Sequence, residues 1–115
     1  MAPLIDRMKN LFSDKRKNDE LPTTVESAVD QILLDLSDFN RNRISNMNED
    51  RLRMIHQDFG FYIMNKFRLW TNESLKQSCC ELIGVPKVTT DQASFIILKE
   101  LRNRIRQVEN KDFKI

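Results

Sequence analysis

Two glycines and three prolines are all that this chain of 115 residues possesses, too few for the tight turns that join strands, so a β-rich fold is excluded at the outset. Cysteine is as sparse. Cys79 and Cys80 are neighbours, and side chains about 100° apart around a helix do not close a disulfide with each other. A reducing, cytoplasmic compartment is the expected address. No apolar run nears the roughly 20 residues of a membrane-spanning helix, and the first residues lack the unbroken apolar stretch of a secretion signal. One histidine and an adjacent cysteine pair fall short of the ligand set that zinc takes, so neither metal nor cofactor is expected. Charge of one sign is missing too. The 19 basic and 17 acidic side chains leave a net +2, not the field that gathers nucleic acid.

What is present is 40% hydrophobic and 31% charged residues, the composition of one helical globular domain with one core. Residues 3–12 set Leu4, Ile5, Met8, Leu11 and Phe12 on one stripe behind Pro3, which favours a helical first turn. So short a helix is not stable alone in water. Residues 13–20, SDKRKNDE, form a charged linker with nothing to bury. Residues 1–20 therefore read as an appendage that docks on the domain, docks on another molecule, or frays. The domain itself is expected over residues 21–110, with 111–115 as a tail.

Within the domain, Thr23 and Glu26 have the spacing of a capping box, and Val25, Ala28, Val29, Ile32, Leu33 and Leu36 follow as an unbroken stripe. Residues 37–47 are polar, with only Phe39, Ile44 and Met47 to bury, and predict a short, weak helix or an irregular connection. Asn48 opens a long helix whose inner face carries Leu52, Ile55, His56, Phe59, Ile63 and Phe67. Because Met54, Phe61 and Met64 lie on its other faces, this helix is expected to run through the middle of the domain. A turn near residue 68 carries Leu69 and Trp70. Asn72 then caps a helix that points Leu75, Cys79, Leu82 and Ile83 inward and stops at Gly84, ahead of Pro86. Thr89 or Thr90 caps the last helix, striped by Ala93, Ile97, Leu101, Ile105 and Val108. The fold class is thus all-α: a compact bundle of four main helices plus a short one, with an N-terminal amphipathic helix on a charged linker.

Chemistry concentrates between His56 and Asn72, which hold the only His, Tyr and Trp and three of the seven Phe. His56 is the side chain that titrates nearest neutrality, the first place to seek a general acid or base. On a core-facing stripe it reads equally as a hydrogen-bonded structural residue. Tyr62, Asn65, Trp70 and Asn72 join it as a candidate ligand pocket, apolar walls with a few placed polar groups. The alternative is that Trp70 plugs the helix junction while Asn72 caps and Asn65 bonds the turn. Cys79, on an apolar stripe, reads as an inert core thiol.

The blocks LPTTVESAV, then His56, Gly60, Tyr62, Ile63, Asn65, Leu69, Trp70 and Asn72, then Asp91, Ala93, Ser94, Ile97 and Leu101, resemble a small family of bacterial domains of unknown function. The resemblance covers about residues 21–104. It implies a helical domain and brings no activity with it. Where members often carry Phe-Gly-Leu-Gly after the histidine, this chain has Gln57-Asp58-Phe59-Gly60. Where they carry Gly-Leu-Trp, it has Arg68-Leu69-Trp70, which makes the turn more restricted.

Three functions fit these residues. The first is a non-enzymatic protein–protein interaction or regulatory module, self-association included, using Leu4, Ile5, Met8, Leu11 and Phe12 or the off-stripe Met54, Phe61 and Met64. The second is a small-ligand or catalytic pocket around His56 and Trp70. The third is DNA binding through Lys99, Arg102, Arg104 and Arg106 on the last helix, interrupted by Glu100 and Glu109.

Overall fold

The computed structural model describes residues 21–113, with side chains as far as Val108; the stripe of residues 3–12 lies outside the described residues. Five helices follow one another: α1 Val25–Asp35, α2 Asp38–Ser45, α3 Glu49–Phe67, α4 Glu73–Ile83 and α5 Thr90–Phe113. No strand occurs among the described residues.

Local chemistry sets the ends. Asn48 accepts from the Arg51 N–H at 2.9 Å and Asn72 from the Leu75 N–H at 3.1 Å, so both amides cap as expected. Gly84 closes α4 in the left-handed region, φ 75°. At α1 the cap is Thr24, not Thr23: its Oγ1 accepts from the Ser27 N–H at 3.1 Å. Glu26 thereby falls one position short of a capping box. A full box stands instead at the start of α5, where Thr89 Oγ1 accepts from the Gln92 N–H at 3.0 Å and Gln92 Oε1 from the Thr89 N–H at 2.9 Å.

The core gathers on α5, which packs against each of the other four helices. Its Ala93, Ser94, Ile97, Leu98 and Leu101 are fully buried, facing Val29 and Ile32 of α1, Leu52, Ile63 and Phe67 of α3, and Leu75 and Cys79 of α4. The middle of the domain is therefore α5 rather than α3. Apolar residues all round α3 do not signal burial on all sides, since Met54 and Phe61 are exposed. Leu82 and Ile83, expected inward, are half exposed, and Cys80 is buried in their place. Phe39 also stands out in solvent, with Arg43 over its ring at 5.8 Å.

Candidate functional site

α3 and α5 run antiparallel. The Glu49 carboxylate meets Lys99 Nζ at 3.5 Å, and farther along α3 His56 Nε2 meets Ser94 Oγ at 2.7 Å. Beyond that point the last turn of α4 and the loop after it rise beside the pair. Between them lies an open groove of about 910 Å³. Phe61 and Met64 line it from α3, Leu82 and Ile83 from α4. Val85, Val88, Phe95 and Ile96 line the rest of its apolar surface. Charges of both signs stand around this wall, Glu49, Asp91 and Glu100 against Arg53, Lys87 and Lys99. Phe61 of α3 and Leu82 and Ile83 of α4 thus have a common destination.

His56 sits in the wall of this groove, half-buried, its ring edge-on to Phe95 with centroids 5.2 Å apart. Ser94 is fully buried and donates its single proton to the Asp91 carbonyl at 2.8 Å. Its oxygen can then only accept, so the proton of the 2.7 Å contact belongs to His56 Nε2. That polarity is the reverse of a nucleophile awaiting a base. Burial holds the imidazole below its ordinary 6.5, against the pull of the Asp91 carboxylate and with the push of Arg53. The neutral Nε2–H form is the one the site keeps. Gly60, one turn on from His56, makes room for the ring: a Cβ there would stand 2.8 Å from Nε2.

The other proposed pocket residues do not gather around His56. Tyr62 donates to Asp35 Oδ2 at 2.9 Å, and Lys66 Nζ reaches the same oxygen at 3.2 Å. Both charged side chains of this pair are buried, and the Tyr62 phenol is pushed well above its usual range by burial and by the Asp35 negative charge. The Asp35–Lys66 pair had no signature in the sequence, because its partners are far apart in the chain and each looks like an ordinary surface charge. Asn72 spends its amide on structure, donating to the Pro22 and Phe67 carbonyls, both at 3.1 Å, while it caps α4. Asn65 is exposed. Trp70 is 52% exposed and neither plugs the junction nor lines the groove. Its neighbour Leu69 is the buried residue of that turn. Of the off-stripe set, Phe61 and Met64 reach the groove and Met54 does not.

Cys79 is buried, its thiol pushed up to about 12 chiefly by that burial, and its Sγ lies 3.8 Å from the Ala93 carbonyl. Such a thiol supplies no thiolate near neutrality. Among the described residues no three His, Cys, Asp or Glu side chains stand together in a way that would hold a metal ion. No described helix is long and apolar enough to cross a membrane.

The basic side chains of α5 turn back on the protein. Arg104 pairs with Asp30 at 2.6 Å. Arg102 donates to the Met47 carbonyl at 3.0 Å, and Arg106 to those of Ser45 and Met47 at 2.8 and 3.0 Å. With Lys99 on Glu49, all four have partners within the chain.

The sequence profile of a domain of unknown function, DUF6794, matches residues 21–105. The chain belongs to this family. The DUF6794 match begins at Leu21, where the described structure begins, and ends within α5. No curated protein and no solved structure matches the chain. In this DUF6794 domain the blocks that carried the resemblance meet in space: His56 and Gly60 of the middle block against Ser94 of the closing one, and Asn72 against Pro22 of the first.

Proposed function

We propose that this protein is a non-enzymatic interaction module whose groove between α3, the end of α4 and α5 takes up an amphipathic helix. The observation that carries the reading is the convergence there of exposed Phe61, Leu82 and Ile83, three large apolar side chains in one concavity with a mixed-charge surround. Grooves of this kind bind helices through anchors at i, i+3, i+4 and i+7. A catalytic reading has less support, because Ser94 is buried, His56 faces it as a donor and the Cys79 thiol stays protonated. DNA binding is weakened by the commitment of Arg102, Arg104 and Arg106 to internal partners.

Short helical peptides selected by display on the full-length protein provide the test. Selected sequences are expected to carry an apolar stripe and to lose binding to a Phe61→Asp, Ile83→Asp variant while keeping it to Trp70→Asp. Because the substituted side chains are exposed, the fold should be little changed. Peptides that bind the doubly substituted variant as well as the parent would overturn the reading.

A further inference from the structure

One atom in the groove wall has chemistry left over. His56 Nε2 carries the ring proton and donates it to Ser94 Oγ, which leaves Nδ1 as a bare acceptor. Nδ1 has no hydrogen-bond partner among the described residues. Nor is it sealed off, since among the described residues the buried side-chain nitrogens and oxygens without a partner are Arg41 Nε and Arg102 Nε. A lone pair on a groove-lining ring is therefore open to whatever enters.

A second acceptor stands beside it. Asp91, in the first turn of α5, lines the same groove and is exposed. Its charge is near enough to act on the His56 proton, yet its carboxylate takes no hydrogen bond or ion pair among the described residues. The neighbouring cations do not fill this gap. Arg53 and Lys99 both turn to Glu49, at 3.2 and 3.5 Å, and both lie over the Phe95 ring. Lys87, exposed on the loop before α5, makes no ion pair with Asp91. Glu100 already holds the Asn103 amide at 3.5 Å. Around His56 the unmet demand is thus for a donor, and the Asp91 charge favours a positive one.

We propose that His56 Nδ1 and the Asp91 carboxylate together receive a lysine or arginine side chain from the helix that occupies the groove. This rests on the reading of the groove as a helix-binding site, and it names the residue which that helix carries besides its apolar anchors. A basic head group has several N–H donors and serves both acceptors at once, whereas a carboxylate offers none. Its position follows from the scaffold. His56 lies five residues before Phe61 on α3, about 7.5 Å along the axis. On a partner lying along α3, the basic residue therefore falls one or two turns from the apolar anchors. The same atom brings in pH: protonation of Nδ1 removes the acceptor and sets cation against cation, so binding weakens as pH falls. Burial holds the ring below 6.5, Asp91 on α5 opposes this and Arg53 on α3 adds to it. Glu49, Lys99 and Glu100 stand farther along the groove, Lys87 faces it from the loop, and the end of α4 brings only Leu82 and Ile83. A bound cation acts in the same direction as Arg53.

Helical peptides selected on the full-length protein supply the probe, read by affinity and by ring-nitrogen NMR of His56. Peptides that need Phe61 and Ile83 are expected to carry Lys or Arg one or two turns from their stripe. Replacing that residue by norleucine, which keeps an apolar stem and drops the charge, is expected to weaken binding about tenfold. Asp91→Asn should cost the basic peptide several-fold and the norleucine peptide nothing. On binding, the Nδ1 resonance should move as that of a nitrogen that has gained a donor, with Nε2 still protonated. Lowering the pH from about 7.5 to about 5 should weaken the basic peptide more than the norleucine one. Peptides that need Phe61 and Ile83 but bind equally well with norleucine, or an Nδ1 resonance unmoved by the basic peptide, would overturn the inference while leaving the groove a helix-binding site. A free protein whose His56 carries its proton on Nδ1 would overturn it too. Peptides indifferent to Phe61 and Ile83 remove the parent reading instead.

Discussion

His56 and Gly60 behave as one unit, since the imidazole occupies the space that a side chain at position 60 would fill. Alanine in place of a mid-helix glycine ordinarily stabilises by about 1 kcal/mol. Here that gain should be cancelled or reversed, because the new methyl displaces the ring from Ser94. In a His56→Ala background the same Gly60→Ala change is expected to stabilise by about 1 kcal/mol, and chemical denaturation of the four proteins of this cycle reads the difference. Equal effects in both backgrounds would separate the two residues. The ring also links stability to pH. Its folded-state affinity for a proton is lowered, so the unfolded chain protonates first as pH falls through 6.5. The contribution is whole above that value and declines below it, until the folded ring protonates as well. Urea unfolding of the parent and of His56→Gln, compared from about pH 7.5 down to about pH 5, should show a steeper loss in the parent. Parallel curves would mean that the ring titrates alike in both states.

At the scale of the element, the end of α3 is the strained point. Arg68 lies in the left-handed region at φ 51°, ψ 49°, a conformation that places Cβ against the following carbonyl. This costs an L-residue about 1–2 kcal/mol, and glycine, which relieves it, gives part of that gain back because it is more disordered when unfolded. Arg68→Gly is therefore expected to stabilise by about 0.5–1 kcal/mol, measurable as a raised melting temperature, and no change would show that the turn tolerates arginine without strain. The departure from Gly-Leu-Trp was legible in the sequence as a restriction, though not its sign of φ. Caps were legible wherever one Asn or Gly stood alone, as at Asn48, Asn72 and Gly84. They were less so where two threonines adjoined, because Thr23 and Thr24 offer the same hydroxyl and only the path of the chain entering α1 selects between them.

For the whole molecule, the buried Asp35–Lys66 pair with the Tyr62 hydroxyl joins the end of α1 to the second half of α3. Removing the carboxylate alone by Asp35→Ala takes the counter-charge at 3.2 Å away from a buried ammonium and is expected to cost about 3 kcal/mol. Replacing both charges, Asp35→Leu with Lys66→Met, should recover most of that loss. A double variant as unstable as the single one would mean that the pair holds more than its own charge. The sequence by itself determined the helical class, the order of the helices, most of their ends and the greater part of the core, because periodicity and caps act between residues close in the chain. Which helix is central, where Phe61, Leu82 and Ile83 converge, and which groups pair with His56 and Asp35 were decided by tertiary structure alone. An amphipathic pattern reports only that a face is apolar. Whether that face meets a neighbouring helix or borders an open groove depends on how the helices are arranged around α5, and that arrangement is a property of the packed whole.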